Sequence, residues 1–222
     1  MKELLRRIFA PPHPTFRTNK SKEEGRVFVN NFLAKLPQAK IVNLGSAGVR
    51  LHPQVINLDL FAGKEVEVQG DLLALPFSDS SLDAIVCTGV LEHVKDPCLA
   101  AYEIRRVLKS GGEAYLEIPW MQGVHASPQD FQRWAPEGLR HLFSGMEIQW
   151  IRVASGPASA LAWIVQETLA MLFSFGSTVL YKVGLRLFGW LAIPLSWLDL
   201  ILERHPQAWR IASGYMILLR KS

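Results

Sequence analysis

Two runs of this chain decide its fold. The first reads Gly70-Asp-Leu-Leu-Ala-Leu-Pro-Phe-Ser-Asp-Ser-Ser-Leu-Asp83-Ala-Ile-Val-Cys87-Thr-Gly-Val-Leu-Glu92-His93-Val94. The second reads Arg105-Arg-Val-Leu-Lys-Ser-Gly111-Gly112-Glu-Ala-Tyr-Leu-Glu-Ile-Pro119. The acidic Asp71 ends one apolar segment, and the β-branched run Asp83 to Cys87 has the composition of a buried strand. A helix over Pro97 to Leu108 then leads through a Gly111-Gly112 stop into a second buried strand, Ala114 to Ile118. That alternation is half of a doubly wound α/β domain.

The rest of the chain extends this frame. Ser21 and Glu24 have the spacing of a capping box, so the first domain helix begins there, with Pro37 as its stop. Core strands are expected over Lys40 to Leu44 and Val55 to Leu60, and a third over Glu65 to Val68. A short helix is expected over Pro136 to Phe143, a sixth strand over Met146 to Val153, and a last one over Ala212 to Leu219. Only six residues separate Gly48 from Val55, and Pro53 is one of them. A parallel crossover needs about a dozen residues, so the usual helix after the first strand is missing or reduced to a turn.

Composition sets bounds. The 222 residues fit one domain with an insertion, and 49% of them are hydrophobic, with a mean hydropathy of +0.14. The net charge of +4 is carried by residues 1 to 27, leaving seventeen charges of each sign elsewhere. A basic face for nucleic acid is therefore not expected; the charge belongs to an N-terminal arm over residues 1–20. The prolines at 11, 12 and 14 and the lack of a long apolar core argue against a signal peptide. The arm reads either as a terminus packed on the domain or as a short basic amphipathic helix against anionic lipid. Cys87 and Cys98 have no metal-ligand spacing, so no metal is expected, and the cytoplasm is the expected compartment.

Taken together, Asp59, Asp71 and the run Asp83 to His93 resemble a class I S-adenosylmethionine-dependent methyltransferase, of the methyltransferase type 11-like group that acts on small molecules, lipids and sugars. The likeness covers roughly residues 40 to 120. It implies a seven-stranded, Rossmann-like sheet and S-adenosyl-L-methionine as cofactor. The turn Asn43, Gly45, Ser46, Ala47 would pass beneath the methionine part. Asp59, with Leu60 beside it, would take the ribose hydroxyls, Asp71 the adenine amino group, and the Leu72 backbone the ring. Thr88, Gly89 and Val90 would border the methyl-transfer centre. The chain departs from the pattern where Asn43 replaces an acid, Ala47 a glycine and Val49 a further glycine.

The sulfonium already carries a good leaving group, so such an enzyme mainly aligns a nucleophile and removes a proton. His125 is the leading candidate base, in the aromatic and polar loop that follows Pro119; His93 is the second. Arg133 and Trp134 are candidates for holding an anionic or sugar-like acceptor. Domain limits are expected at 21–154 and 208–222, with a hydrophobic helical insertion at 155–207 before the last strand. Glu167, Lys182, Arg186, Pro194 and Asp199 interrupt that insertion, which predicts two or three interfacial or self-packed helices rather than a membrane span. It offers a surface for peripheral contact with the inner face of a membrane, or for a homodimer. Two functions stand open on this reading. One is methyl transfer to an O or N of a small, sugar or lipid-linked acceptor; the other is a catalytically silent ligand-binding protein docked on a membrane.

Overall fold

A computed structural model describes residues 21–125 and 128–222; the basic arm lies outside the described residues. The chain divides into two compact units. One comprises 21–120, 124–152 and 215–222, and the other comprises 121–123 and 153–214.

The first unit is built on the sheet. The strands are β1 (Ile41–Leu44), β2 (Ile56–Asp59), β3 (Val68–Gln69), β4 (Leu82–Thr88), β5 (Leu108–Pro119), β6 (Glu147–Ser155) and β7 (Gly214–Arg220). They form one seven-stranded sheet in the order β3-β2-β1-β4-β5-β7-β6. β1 pairs in parallel with β2 on one side and with β4 on the other, so strand order reverses there. β1 is buried along its whole length and β4 nearly so. That is why both are mostly apolar on both faces rather than alternating, with Asn43 the polar exception inside β1. Helix α1 (Ser21–Lys35) lays Val29 and Leu33 against Ile41, Val86 and Tyr115 in one core cluster.

Helix α2 (Pro97–Val107) starts where Asp96 accepts the Leu99 N–H at 3.0 Å and Pro97 opens the first turn. It ends on Arg105 and Arg106, whose charges suit a helix C-terminus. The Gly-Gly pair is not its stop. β5 begins directly at Leu108, and Gly111 and Gly112 lie inside that strand. Leu82 faces Leu108 whereas Ala84 faces Glu113, so the glycines absorb a register shift as a bulge. Gly111 has a φ of 76°, and a side chain on Gly112 would stand 2.9 Å from the Lys109 carbonyl.

The connection from β1 to β2 has no helix, as its length predicts. Arg50 fastens it instead. Its Nε donates to Glu65 at 3.2 Å, its Nη1 to the Val55 carbonyl at 3.2 Å, and its Nη2 to Glu67. The third strand, expected from Glu65, starts late. β3 pairs with β2 in register only from Val68; just before it the Glu67 N–H reaches the Asn57 carbonyl at 3.1 Å and the Asn57 amide donates to the Glu65 carbonyl at 2.7 Å.

Gly45 is the tight point of the unit. Its φ is 62°, and a Cβ there would stand 2.4 Å from Val90 Cγ2. Gly45→Ala is expected to lower stability by about 1–3 kcal/mol through overpacking and left-handed strain. The midpoint of urea unfolding measures this; an unchanged midpoint would show that the loop can yield.

The second unit holds α4 (Pro157–Leu172), α5 (Thr178–Ser196) and α6 (Asp199–Leu202), while α3 (Pro136–Leu142) belongs to the first. Asp199 is fully buried. Its carboxylate accepts from Ala158 N at 2.7 Å, Ser159 N at 2.8 Å and Ser159 Oγ at 2.7 Å. It thus caps α4, whose own N-cap is the side-chain-less Gly156. The expected interruptions of the insertion do not break it. Pro194 lies within α5, and Lys182 and Arg186 are exposed on that helix. By length and composition alone, Thr178–Leu202 is one helical stretch long and apolar enough to cross a membrane, which corrects the limit set from charge spacing. Gly184 packs on Ala170, and a Cβ added to it would stand only 3.2 Å from the Ala170 Cα, so small residues bring α4 and α5 close.

Candidate active site

The ends of β1, β2, β3 and β4 converge where strand order reverses, the usual place for a ligand in such a sheet. Register aligns them: Leu44 lies beside Leu58 and Cys87, and Asp59 beside Gln69. The Gly45–Gly48 turn, Asp59, Asp71 and Thr88–Val90 therefore share one edge of the sheet.

Asp59 organises the turn. Its Oδ2 accepts the Ala47 N–H at 2.8 Å and its Oδ1 the Phe61 N–H at 3.0 Å. Each oxygen keeps a further lone pair for a ligand hydroxyl. Gly45, Ala47 and Gly48 all have positive φ, which folds the turn tightly over the β1 end. Ala47 and Gly48 are exposed and Ser46 is buried. Asn43 is 3% exposed, and its Nδ2 donates to Asn57 Oδ1 at 3.2 Å and to the Val49 carbonyl at 3.3 Å. It braces β1, β2 and the turn from beneath. Asp71 is exposed; its Oδ1 accepts the Leu73 N–H at 2.9 Å, while Leu72 is buried. Leu60 is exposed, as is Gly89; Thr88 and Val90 are half-buried. Burial pushes the Cys87 thiol up, with the Glu92 charge adding to it. Cys87 is therefore a neutral core residue, not a nucleophile.

The two candidate histidines come together. Their rings meet edge to face with centroids 5.3 Å apart. His93 belongs to the 3-10 turn Leu91–His93 directly after β4, with Glu92 buried in the same turn. His93 Nδ1 stands 2.5 Å from the Gln129 carbonyl, which can only accept, so that nitrogen carries the proton. The Glu92 Oε1 lies 3.7 Å from His93 Nε2 and 3.5 Å from His125 Nε2. Asp130 Oδ2 accepts the His125 backbone N–H at 2.8 Å and lies 3.6 Å from its Nδ1. Arg133 bonds both Asp130 oxygens and reaches His125 Nδ1 at 3.3 Å. Arg133, first read as an acceptor-holding residue, thus positions Asp130 and His125. Trp134 is half-buried and packs over Gly138.

The Arg133 guanidinium holds the Asp130 carboxyl well below the usual carboxylate range, its hydrogen bond outweighing the opposing effect of burial. A depressed carboxyl contributes stability that is full above its unfolded value, near 4, and is lost as pH falls through its folded value. Below about pH 4 the wild type should therefore lose on the order of 2 kcal/mol that Asp130→Asn does not lose. Urea unfolding at pH 6, 4 and 3 measures it; parallel curves for the two proteins would remove Asp130 from the account.

Sequence reasoning did not single out Glu92 or the Asp130–Arg133 brace. The signal for Glu92 was its charge in an otherwise apolar turn after a buried strand.

A family model described as a methyltransferase domain matches residues 35–116. A protein of Encephalitozoon cuniculi, named as a methyltransferase, is 30% identical over 105 residues, which are 42% of this chain and 50% of that protein. The 2-phytyl-1,4-naphtoquinone methyltransferase of Synechocystis is 36% identical over 83 residues, 37% of this chain and 33% of that one. The chain thus spans half or less of the length of these curated relatives. Among solved structures, the Burkholderia thailandensis 1,6-didemethyltoxoflavin-N1-methyltransferase, holding its acceptor and S-adenosylhomocysteine, superposes with a TM-score of 0.56 at 12% identity. That match covers 92% of this chain and 79% of the other. At this identity the likeness concerns the fold.

Proposed function

We propose that this chain, which belongs to the class I S-adenosylmethionine-dependent methyltransferase family, transfers a methyl group from S-adenosylmethionine to an oxygen or nitrogen of a small, sugar or lipid-linked acceptor. The observation that carries this reading is the convergence of the positive-φ turn, Asp59 and Asp71 on one sheet edge at the point of strand reversal. In it, Gly45 to Gly48 lie under the methionine portion, Asp59 takes the ribose and Asp71 the adenine. Asn43 replaces a charged partner for the cofactor ammonium with a neutral, structural amide, so less of the binding energy comes from that end. S-adenosylmethionine would supply the activated methyl beside Thr88–Val90, and the Glu92, His93 and His125 cluster would receive the proton that the acceptor loses.

The acceptor class draws support from the helical unit, whose exposed face is apolar, and from the Synechocystis relative, whose name gives it a phytyl-bearing quinone. Together they favour a hydrophobic or lipid-linked acceptor met at the inner face of a membrane.

Calorimetric titration with S-adenosylhomocysteine tests the cofactor half. The wild type should bind one equivalent, and Asp59→Ala should weaken binding by about 1.5–3 kcal/mol, the size of a hydrogen bond to a charged group. No binding in the wild type, or equal binding in the Asp59→Ala and Asp71→Ala variants, would leave a silent scaffold with the same fold.

A further inference from the structure

We infer that Glu92, His93 and His125 form a three-ligand site for a divalent transition-metal ion. Three observations point to it. The Glu92 side chain is 1% exposed, and among the described residues its Oε2 is buried with no hydrogen-bond partner. A buried carboxylate left half-satisfied is costly, and a cation beside it removes the cost. Next, the proton on His93 Nδ1 is committed to the Gln129 carbonyl, so in the neutral ring Nε2 is the free ligand atom, 3.7 Å from a carboxylate oxygen. Two electron-rich atoms held face to face make a poor contact unless a proton or a metal cation lies between them. Finally, one atom from each of the three residues lies within 4.8 Å of the others.

The distances fit a shared ion. Bonds of about 2.1 Å in tetrahedral geometry put ligand atoms about 3.4 Å apart. The two carboxylate-to-imidazole separations are 3.7 and 3.5 Å, so small side-chain movements close the site. The outer partners are those a metal-binding histidine needs. Gln129 fixes the His93 tautomer; at His125, Arg133 donates to Nδ1 at 3.3 Å, so binding an ion through Nε2 moves the ring proton to Nδ1 and exchanges that contact for Asp130 Oδ2, 3.6 Å away. Two imidazoles and one carboxylate suit zinc, manganese, iron or cobalt rather than calcium or magnesium. Three protein ligands leave positions for solvent or an acceptor oxygen. The site follows β4 at Thr88–Val90, so an oxygen bound there would lose its proton more readily. That role rests on the methyl-transfer reading; the binding of the ion does not. The sequence hides this site, because His125 lies 32 positions beyond its nearest partner and only the fold brings it back.

The test uses the full chain stripped of metal and titrated with ZnCl2, with the Co2+ visible spectrum as a second readout. One ion per chain should bind. His93→Ala and His125→Ala should each weaken binding by about tenfold or more, while His141→Ala and His205→Ala, at exposed sites elsewhere, leave it unchanged. Glu92→Gln should do the same as the cluster variants, and because Glu92 is buried its folding is checked by circular dichroism; the two histidine variants stand without it. No binding, several weak ions per chain, or equal affinity in the His93 and His125 variants overturns the inference. A parallel titration with S-adenosylhomocysteine separates the two readings. Cofactor binding without zinc binding removes the metal site alone, and zinc binding without cofactor binding removes the methyltransferase reading alone.

Discussion

Replacing His125 by alanine is expected to lower methyl-transfer turnover by about a hundredfold or more, the scale of lost proton-transfer catalysis, while S-adenosylhomocysteine affinity stays within about twofold. The two halves of this expectation come from different parts of the sheet edge. The groups placed on the cofactor side are the Gly45–Gly48 turn, Asp59 and Asp71, and none of the hydrogen bonds described for His125 involves them. His125 is held instead by the Asp130–Arg133 pair and faces Glu92 and His93. On the proposed function its loss removes the group that handles the acceptor's proton, directly or as a ligand of the inferred ion, and spares the groups assigned to the cofactor. Asp59→Ala should show the converse, with weaker cofactor binding and turnover largely recovered at saturating S-adenosylmethionine. The measurement is kcat and cofactor Kd for both variants with an acceptor of the proposed sugar or lipid-linked class. Wild-type turnover in His125→Ala would mean that proximity alone carries the step. A parallel loss of cofactor affinity would mean that His125 is a structural residue of the cradle.

Much of this was legible in the chain because the central strands are buried on both faces. Continuous runs such as Ile41–Leu44 and Ala84–Cys87 can then be nothing but core, and their order gives the topology. The absent helix after β1 was legible from counting residues alone. The misplaced boundaries have local causes that spacing does not carry. The third strand starts late because side chains do the bonding just before it: the Asn57 amide takes the Glu65 carbonyl and the Glu67 carboxylate takes the Asn57 N–H. The fifth starts early because two glycines bulge rather than break. Asn43 and Asp59 were both picked from the ends of strands, yet they play different parts. One is buried beneath the turn, and the other accepts from its backbone. The imidazole cluster was half legible. Each histidine could be picked from its loop, but their meeting, and the buried Glu92 between them, depends on the path of a segment that carries Gln129, Asp130 and Arg133 back toward β4. Pro194 and the charges of the insertion suggested breaks because spacing does not tell which face of a helix a residue occupies. Lys182 and Arg186 are exposed, and Asp199 turns inward to cap α4.

The helical unit supports the second large effect. Along α5 the exposed residues Val179, Val183, Leu187, Trp190 and Leu191 recur at helical spacing, so one face of that helix is apolar and open to solvent. The opposite face carries Gly184, Gly189, Ala192 and Ser196, which are buried. A contiguous apolar face of this kind exceeds what a soluble monomer usually exposes and calls for a cover. Lipid is the cover the chemistry favours, because tryptophans and exposed basic residues on one helix suit the headgroup boundary. The protein should therefore sediment with anionic liposomes. Trp190 and Trp197 are each about half exposed. At ~25 cal/mol per Å2, seating the exposed part of one indole contributes about 2 kcal/mol. Trp190→Ser with Trp197→Ser should then weaken vesicle binding by up to about a thousandfold, and each change alone by about thirtyfold. Raising salt should weaken binding only in part, since it screens Lys182 and Arg186 but leaves apolar burial in place. Light scattering on the same samples gives the alternative its own readout. A stable dimer that ignores vesicles at low salt, and that the double variant converts to a monomer, would show that a second copy covers this face and that the acceptor is reached from water.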